Sequence, residues 1–258
     1  MLFSLENQTA LIVGGAGGVG RAIAEGLLDS GANVIIASRN AEALETAANE
    51  MEEKTGKRPA FYTMDASSEE SVKELLSSIE KDFGRLNILV NSQGYNKKYP
   101  AQEFDMDEFR KMMEVNVVGV MLCCKVFGAH MIENGGGKIL NVSSVRGQIA
   151  TRAAGNCGYC SSKGAVNMMT RQLASEYGQY GITVNALAPT LMETSMMTAV
   201  IEQRGGDAYR ASVAETHPMK KMMVPDDCVG TAIYLVSSAS DYVTGTIAYV
   251  DGGLTAVG

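Results

Sequence analysis

The sequence predicts a single α/β domain spanning 1–258, a doubly wound parallel sheet of Rossmann type with about seven strands. Three observations predict it. Short apolar runs alternate with longer helical patterns along the chain. Most of those runs are apolar on both faces, as strands sandwiched between helix layers must be. A glycine cluster joins the first run to the first helical pattern, where such sheets cradle phosphate.

The strand-like runs are Thr9–Val13, Asn33–Ala37, Ala60–Met64, Leu86–Asn91, Lys138–Val142, Ile182–Leu187 and Ile247–Val250. Between them, Gly20–Asp29 carries Ile23, Leu27 and Leu28 on a broad apolar face. Ser68–Phe83 opens with a capping serine and two glutamates, which suit the positive helix start. Met106–Ile132 and Gly158–Tyr180 read as long helices, and Pro225–Ser237 starts with Pro and two aspartates. Thr190–Val224 is the least regular stretch and is expected to cover a site.

Composition sets the outer limits. The chain has 258 residues, 46% hydrophobic and 20% charged, enough to bury a core without disulfide or metal staples. A net charge of −7 with no basic stripe argues against nucleic acid. The N-terminal residues show no export signal, and no run of about 18 apolar residues suggests a membrane span. Five cysteines, an odd number, point to reduced thiols in the cytoplasm. The two histidines, His130 and His217, lack metal-ligand spacing, so no metal is expected.

The glycine turn reads Gly14-Gly15-Ala16-Gly17-Gly18-Val19-Gly20. Glycine lets the backbone approach a pyrophosphate, and the following helix start offers it free N–H groups. This predicts a dinucleotide. The end of the second strand carries no acid for a ribose 2′-OH, but Arg39 suits a 2′-phosphate. NADP is therefore expected over NAD.

Tyr159 and Lys163 stand four apart, on one helix face. A nearby ammonium lowers a phenol's pKa from near 10 toward the range where it can exchange protons. Ser143-Ser144 end the fifth strand and Asn91-Ser92-Gln93-Gly94 the fourth, at the carboxyl edge where doubly wound sheets bind ligands. Asn116 lies in the long helix that follows, and Asn185-Ala-Leu-Ala-Pro189-Thr190 leaves the sixth strand.

In order and spacing these motifs resemble a short-chain dehydrogenase/reductase of the roughly 250-residue type, over essentially the whole chain. The resemblance implies that Tyr159 is the general acid or base. It implies that Ser144 holds the substrate oxygen, with Ser143 as the rival serine. Lys163 would tune Tyr159 and hold the nicotinamide ribose, and Asn116 would hold a water leading from Lys163 to solvent. The implied cofactor surface begins with Gly14, Gly17, Gly18, Val19 and Gly20. It continues through Ser38 and Arg39, then Asp65 and Ala66 at the adenine, then Asn91 and Gln93. Pro189, Thr190, Met192 and Thr194 would close it at the nicotinamide end. A homotetramer is also implied.

The chain departs from the family pattern in places. Val13 stands for the usual Thr, Ser92 and Gln93 for the middle of Asn-Asn-Ala-Gly, and Thr190 for the Gly after Pro189. The Ser144–Tyr159 segment is about two residues longer than the family pattern.

Asn96-Lys97-Lys98-Tyr99-Pro100-Ala101 resembles a run in family members acting on gluconate-type sugar acids. Lys97, Lys98 and Arg152, with Arg146, would attract a carboxylate, so a sugar acid or polyol is the expected substrate. The alternative is a 3-oxoacyl thioester or a simple ketone. A reading from another class is a thiol redox protein using Cys157-Gly-Tyr-Cys160, since C-x-x-C is the spacing of thiol–disulfide exchange.

Overall fold

Seven parallel strands form one sheet in the order β3-β2-β1-β4-β5-β6-β7. The strands are β1 (Thr9–Val13), β2 (Asn33–Ser38), β3 (Ala60–Thr63), β4 (Ile88–Asn91), β5 (Gly137–Val142), β6 (Ile182–Pro189) and β7 (Ile247–Val250). The computed structural model describes residues 2–151 and 155–257, with the backbone alone at 195–196. Arg152, one of the expected substrate cations, lies outside the described residues.

The strand order reverses between β1 and β4, with β1 pairing Val13 to Asn91 on one side and to Ala37 on the other. That reversal opens a crevice at the carboxyl ends of the strands, where ligands bind in such sheets. The β1 side chains divide between two cores, as alternation requires. Ala10 and Ile12 pack under helices α1 (Gly18–Asp29), α2 (Ala41–Thr55) and α9 (Val229–Val236). Leu11 and Val13 pack under α3 (Glu69–Phe83), α5 (Gly119–Glu133) and α6 (Cys157–Tyr177).

The long helix expected over Met106–Ile132 is interrupted. It comprises α4 (Met106–Met113), a π turn at Glu114–Val118 that holds Asn116, and α5. By length and composition, Met106–Glu133 is apolar enough to cross a membrane, contrary to the reading of the sequence. Its apolarity has another use: Val120, Cys123, Cys124, Phe127 and Met131 are buried against the sheet.

Two further points differ from the sequence reading. α2 is a full helix, capped by the Asn40 side chain accepting from Ala43 N–H and closed by left-handed Gly56. The irregular stretch at 190–224 contains two short helices, α7 (Ser195–Gln203) and α8 (Asp207–Glu215). An isolated parallel bridge between Met192 and Met223 ties the two ends of that excursion together.

Candidate active site

The glycine turn is built for close approach. Gly14 has φ +82° and Gly18 φ +54°, conformations that side chains other than glycine rarely adopt. A Cβ on Gly20 would stand 2.4 Å from the Gly14 carbonyl oxygen, so the start of α1 lies directly on the turn. At Gly17 a Cβ would meet nothing within 4 Å, because that position faces the open crevice. Helix α1 has no capping side chain and no acid in its first turn, which leaves its first N–H groups free for an anion.

One cleft is lined by eight of the residues expected at the dinucleotide. Gly14, Gly17, Gly18, Ser38, Arg39, Asp65, Ala66 and Gln93 all line it. Ser38 Oγ and both amide atoms of Gln93 are buried there without a hydrogen-bond partner among the described residues. A buried polar atom without a partner is costly, so these groups suit a polar ligand. Asp65 is held below the ordinary carboxylate range by hydrogen bonds from Ser67, aided by the Arg39 charge. Thr194 reaches over the turn, its methyl 4.0 Å from where a Gly18 Cβ would be.

Four expected cofactor residues turn their side chains elsewhere. Val19 packs toward the α1 core and Met192 lies in that core. The Asn91 amide donates inward to Asn141 Oδ1 at 2.9 Å and to Cys124 Sγ at 3.4 Å. Thr190 is buried with its hydroxyl 3.1 Å from His217 Nε2. That contact joins residues 27 apart, and nothing local in the sequence announces it.

The catalytic candidates converge beside the cleft. Strand β5 ends at Val142, whose carbonyl accepts from Lys163 Nζ at 2.8 Å. Lys163 Nζ lies 5.7 Å from the centre of the Tyr159 ring. It is also 3.9 Å from where a Gly94 Cβ would stand, so it faces the end of β4 as well. Ser144 stands close enough to favour the Tyr159 phenolate by a hydrogen bond. Its Oγ also accepts from Arg146 N–H at 3.2 Å and donates to the Pro189 carbonyl at 3.4 Å. The rival Ser143 turns away and donates to Asn167 Oδ1.

Burial pushes the Tyr159 phenol above its usual value, while Ser144 and the Arg146 charge pull it down. Burial also lowers the Lys163 ammonium from 10.5 to about 8. The sign of the stability effect follows. Between pH 8 and 10.5 the unfolded lysine binds more proton than the folded one, so this group makes folding more favourable as pH rises. The shift corresponds to roughly 3 kcal/mol. Relative to a Lys163→Met variant, wild-type stability is therefore expected to rise by up to about 3 kcal/mol from pH 7 toward 10.5. Paired urea melts across that range check it; parallel pH curves would show that Lys163 is not desolvated.

Asn116 is fully buried in the π turn. Its Oδ1 accepts from Tyr95 N–H at 2.7 Å, and its Nδ2 donates to Tyr95 O at 2.9 Å and to Ser162 Oγ at 3.0 Å. The side chain thus clamps the segment after β4 to α6, which carries Tyr159 and Lys163. With its amide so engaged, Asn116 has the geometry of a positioning residue.

At the mouth, Lys97 is committed. It pairs with Glu108 at 2.9 Å and lies 5.5 Å over the Tyr99 ring. Lys98 is exposed, its stem against Gly155. Cys157 and Cys160 are free thiols in the first turn of α6, Cys157 exposed and Cys160 partly buried.

This geometry has close counterparts. Residues 14–255 match a family model described as enoyl-(acyl carrier protein) reductase. The chain is 32% identical over 254 residues to gluconate 5-dehydrogenase of Gluconobacter oxydans (strain 621H), covering 98% of this chain and 97% of that protein. It is 32% identical over 253 residues to 5-keto-D-gluconate 5-reductase of Escherichia coli (strain K12), again covering 98% and 97%. Among solved structures, a gluconate 5-dehydrogenase from Burkholderia cenocepacia J2315 in complex with NADP and tartrate superposes with TM-score 0.91. That pair shares 33% identity and covers 100% of this chain and 98% of the other.

Proposed function

The chain belongs to the short-chain dehydrogenase/reductase family, and from that premise we propose an NADP-dependent oxidoreductase that interconverts a sugar-acid carbonyl and its secondary alcohol. The observation that carries the reading is the position of Lys163. Its Nζ faces both the Tyr159 ring and the end of β4 at the dinucleotide cleft. One group thus couples the proton donor to the cofactor site. The relatives that act on gluconate or 5-keto-D-gluconate support the substrate class.

In reduction, the Tyr159 hydroxyl donates its proton to the carbonyl oxygen; in oxidation the phenolate takes it back. The Ser144 hydroxyl donates a hydrogen bond to the same oxygen and stabilises its developing charge. The Lys163 ammonium favours the phenolate that remains after proton transfer. Asn116 keeps the Tyr95 segment and α6 in register. A bound nicotinamide dinucleotide supplies or accepts the hydride.

The free N–H groups of α1 would hold the pyrophosphate, with Gly17 and Gly18 giving access. Asp65 and Ala66 would face the adenine, Gln93 would offer its unpartnered amide, and Thr194 would close over the turn. The 190–224 excursion would act as the cover, and the enzyme would work in the cytoplasm as a homotetramer. The thiol redox reading gains nothing from this doubly wound sheet, and the thioester reductase is the remaining rival.

Arg39 and the orphan hydroxyl of Ser38 would read the 2′-phosphate. Wild type should show higher kcat/KM with NADP than with NAD. Arg39→Ala is expected to lower the NADP value about 10- to 100-fold, the range of a charge-assisted bond, and to leave NAD nearly unchanged. A wild-type preference for NAD would sink the cofactor assignment. A panel of 5-keto-D-gluconate, neutral ketones and an acetoacetyl thioester tests the substrate class. Rapid turnover of the thioester alone would reverse it.

A further inference from the structure

We propose that Arg146 grips the substrate's carboxylate and sets the enzyme's preference for acids; the inference rests on the sugar-acid reading above. Arg146 is two residues past Ser144, in the short 3₁₀ turn Val145–Gly147. Its main-chain N–H donates to Ser144 Oγ at 3.2 Å, so the side chain leaves the backbone beside the group that would hold the reacting oxygen. Nη1 donates to the Ala150 carbonyl at 2.7 Å, an exposed bond that steadies the guanidinium. Among the described residues no carboxylate pairs with it, and one carbonyl leaves most of its five N–H donors free.

Among the described residues, the other cations of the mouth are worse placed. Lys97 is neutralised by Glu108 and stacked on Tyr99. Lys111 Nζ sits 5.0 Å over the Tyr95 ring, whose hydroxyl donates to that same Glu108. Lys98 is exposed on the rim. Arg146 is the cation whose charge is felt at both the Tyr159 phenol and the Cys160 thiol. The 3₁₀ turn that carries it packs directly on α6, where a Cβ on Gly147 would stand 2.7 Å from the Lys163 carbonyl oxygen. A planar guanidinium also matches a carboxylate with two parallel hydrogen bonds, which an ammonium does not. Carbonyl at Tyr159 and Ser144, carboxylate at Arg146: two fixed points orient a chain of a few carbons. A neutral ketone keeps the first point and loses the second.

Arg146→Gln tests this with 5-keto-D-gluconate and its methyl ester, identical but for the charge. KM for the acid should rise about 10- to 100-fold while KM for the ester responds little, and any change in kcat through Tyr159 should be shared by both substrates. Arg146→Lys should recover part of the loss. Thermal melting and NADPH binding, followed by fluorescence, should match wild type in both variants. If acid and ester lose affinity together, or the acid is unaffected in both variants, the assignment is overturned. Failure of the underlying reading looks different: wild type would reduce neutral ketones and no sugar acid, before any variant is made.

Discussion

Replacing Tyr159 by phenylalanine is expected to lower kcat by about 10²- to 10⁴-fold, the usual contribution of a positioned general acid. The substitution removes one oxygen and keeps the ring, so the Lys163 contact at 5.7 Å from the ring centre survives. Lys163 also keeps its 2.8 Å bond to the Val142 carbonyl. Folding and NADPH affinity should therefore stay near wild type, which separates a lost proton donor from a damaged site. Ser144→Ala should fall in the same direction by a smaller factor, and Ser143→Ala should act mainly on stability through its bond to Asn167. Undiminished turnover in Tyr159→Phe would place the proton transfer elsewhere.

The second large effect belongs to Gly20. An alanine there puts a carbon 2.4 Å from the Gly14 carbonyl oxygen and 3.0 Å from Ser92 Oγ. The Gly14 backbone is fixed by its N–H bond to the Ala37 carbonyl at 2.8 Å. The turn must open, at a cost of about 1–3 kcal/mol in stability, typical of overpacking. Opening it also displaces the free N–H groups of α1, so dinucleotide binding should collapse. Gly17→Ala is the control. Its added carbon meets nothing within 4 Å, and its φ of −165° is ordinary extended backbone. That variant should keep its stability and lose only cofactor affinity, because Gly17 faces the cleft. Isothermal titration with NADPH and thermal melts of both variants check the contrast; equal melts would deny that α1 is seated on the turn.

Much of this was legible because each signal was local. β-branched runs apolar on both faces marked the strands, and their ends in the structure fall within two residues of those read from sequence. The glycine turn and the Tyr159–Lys163 spacing are likewise short patterns with a physical cause. Helix α2 escaped notice because alanines carry much of its buried face: Ala47 and Ala48 with only Leu44 and Met51. Alanine adds little to a hydrophobic pattern. Its best signal was the Asn40 cap and the closing Gly56. The π turn at Asn116 is a defect in a helical pattern, invisible to periodicity. α7 and α8 lack side-chain caps, so nothing marked their starts.

What composition could not show was which charges are already used. Lys97 looked free in sequence, yet Glu108, 11 residues on, neutralises it. Arg146 looked like a helper, yet among the described residues it has no carboxylate partner, and its main-chain N–H bonds Ser144 Oγ. His217 closes on Thr190 only because the 190–224 excursion folds back onto the end of β6. Contacts of this kind depend on the sheet edge being assembled first.

The most direct measurement is the fate of the hydride. NADPH carrying deuterium at its transferable position should be incubated with wild type and 5-keto-D-gluconate, and the product read by NMR. Deuterium at the new carbinol carbon, absent in Tyr159→Phe over the same time, is the predicted result. Oxidation of NADPH with no label in the product, or equal labelling by Tyr159→Phe, would contradict it.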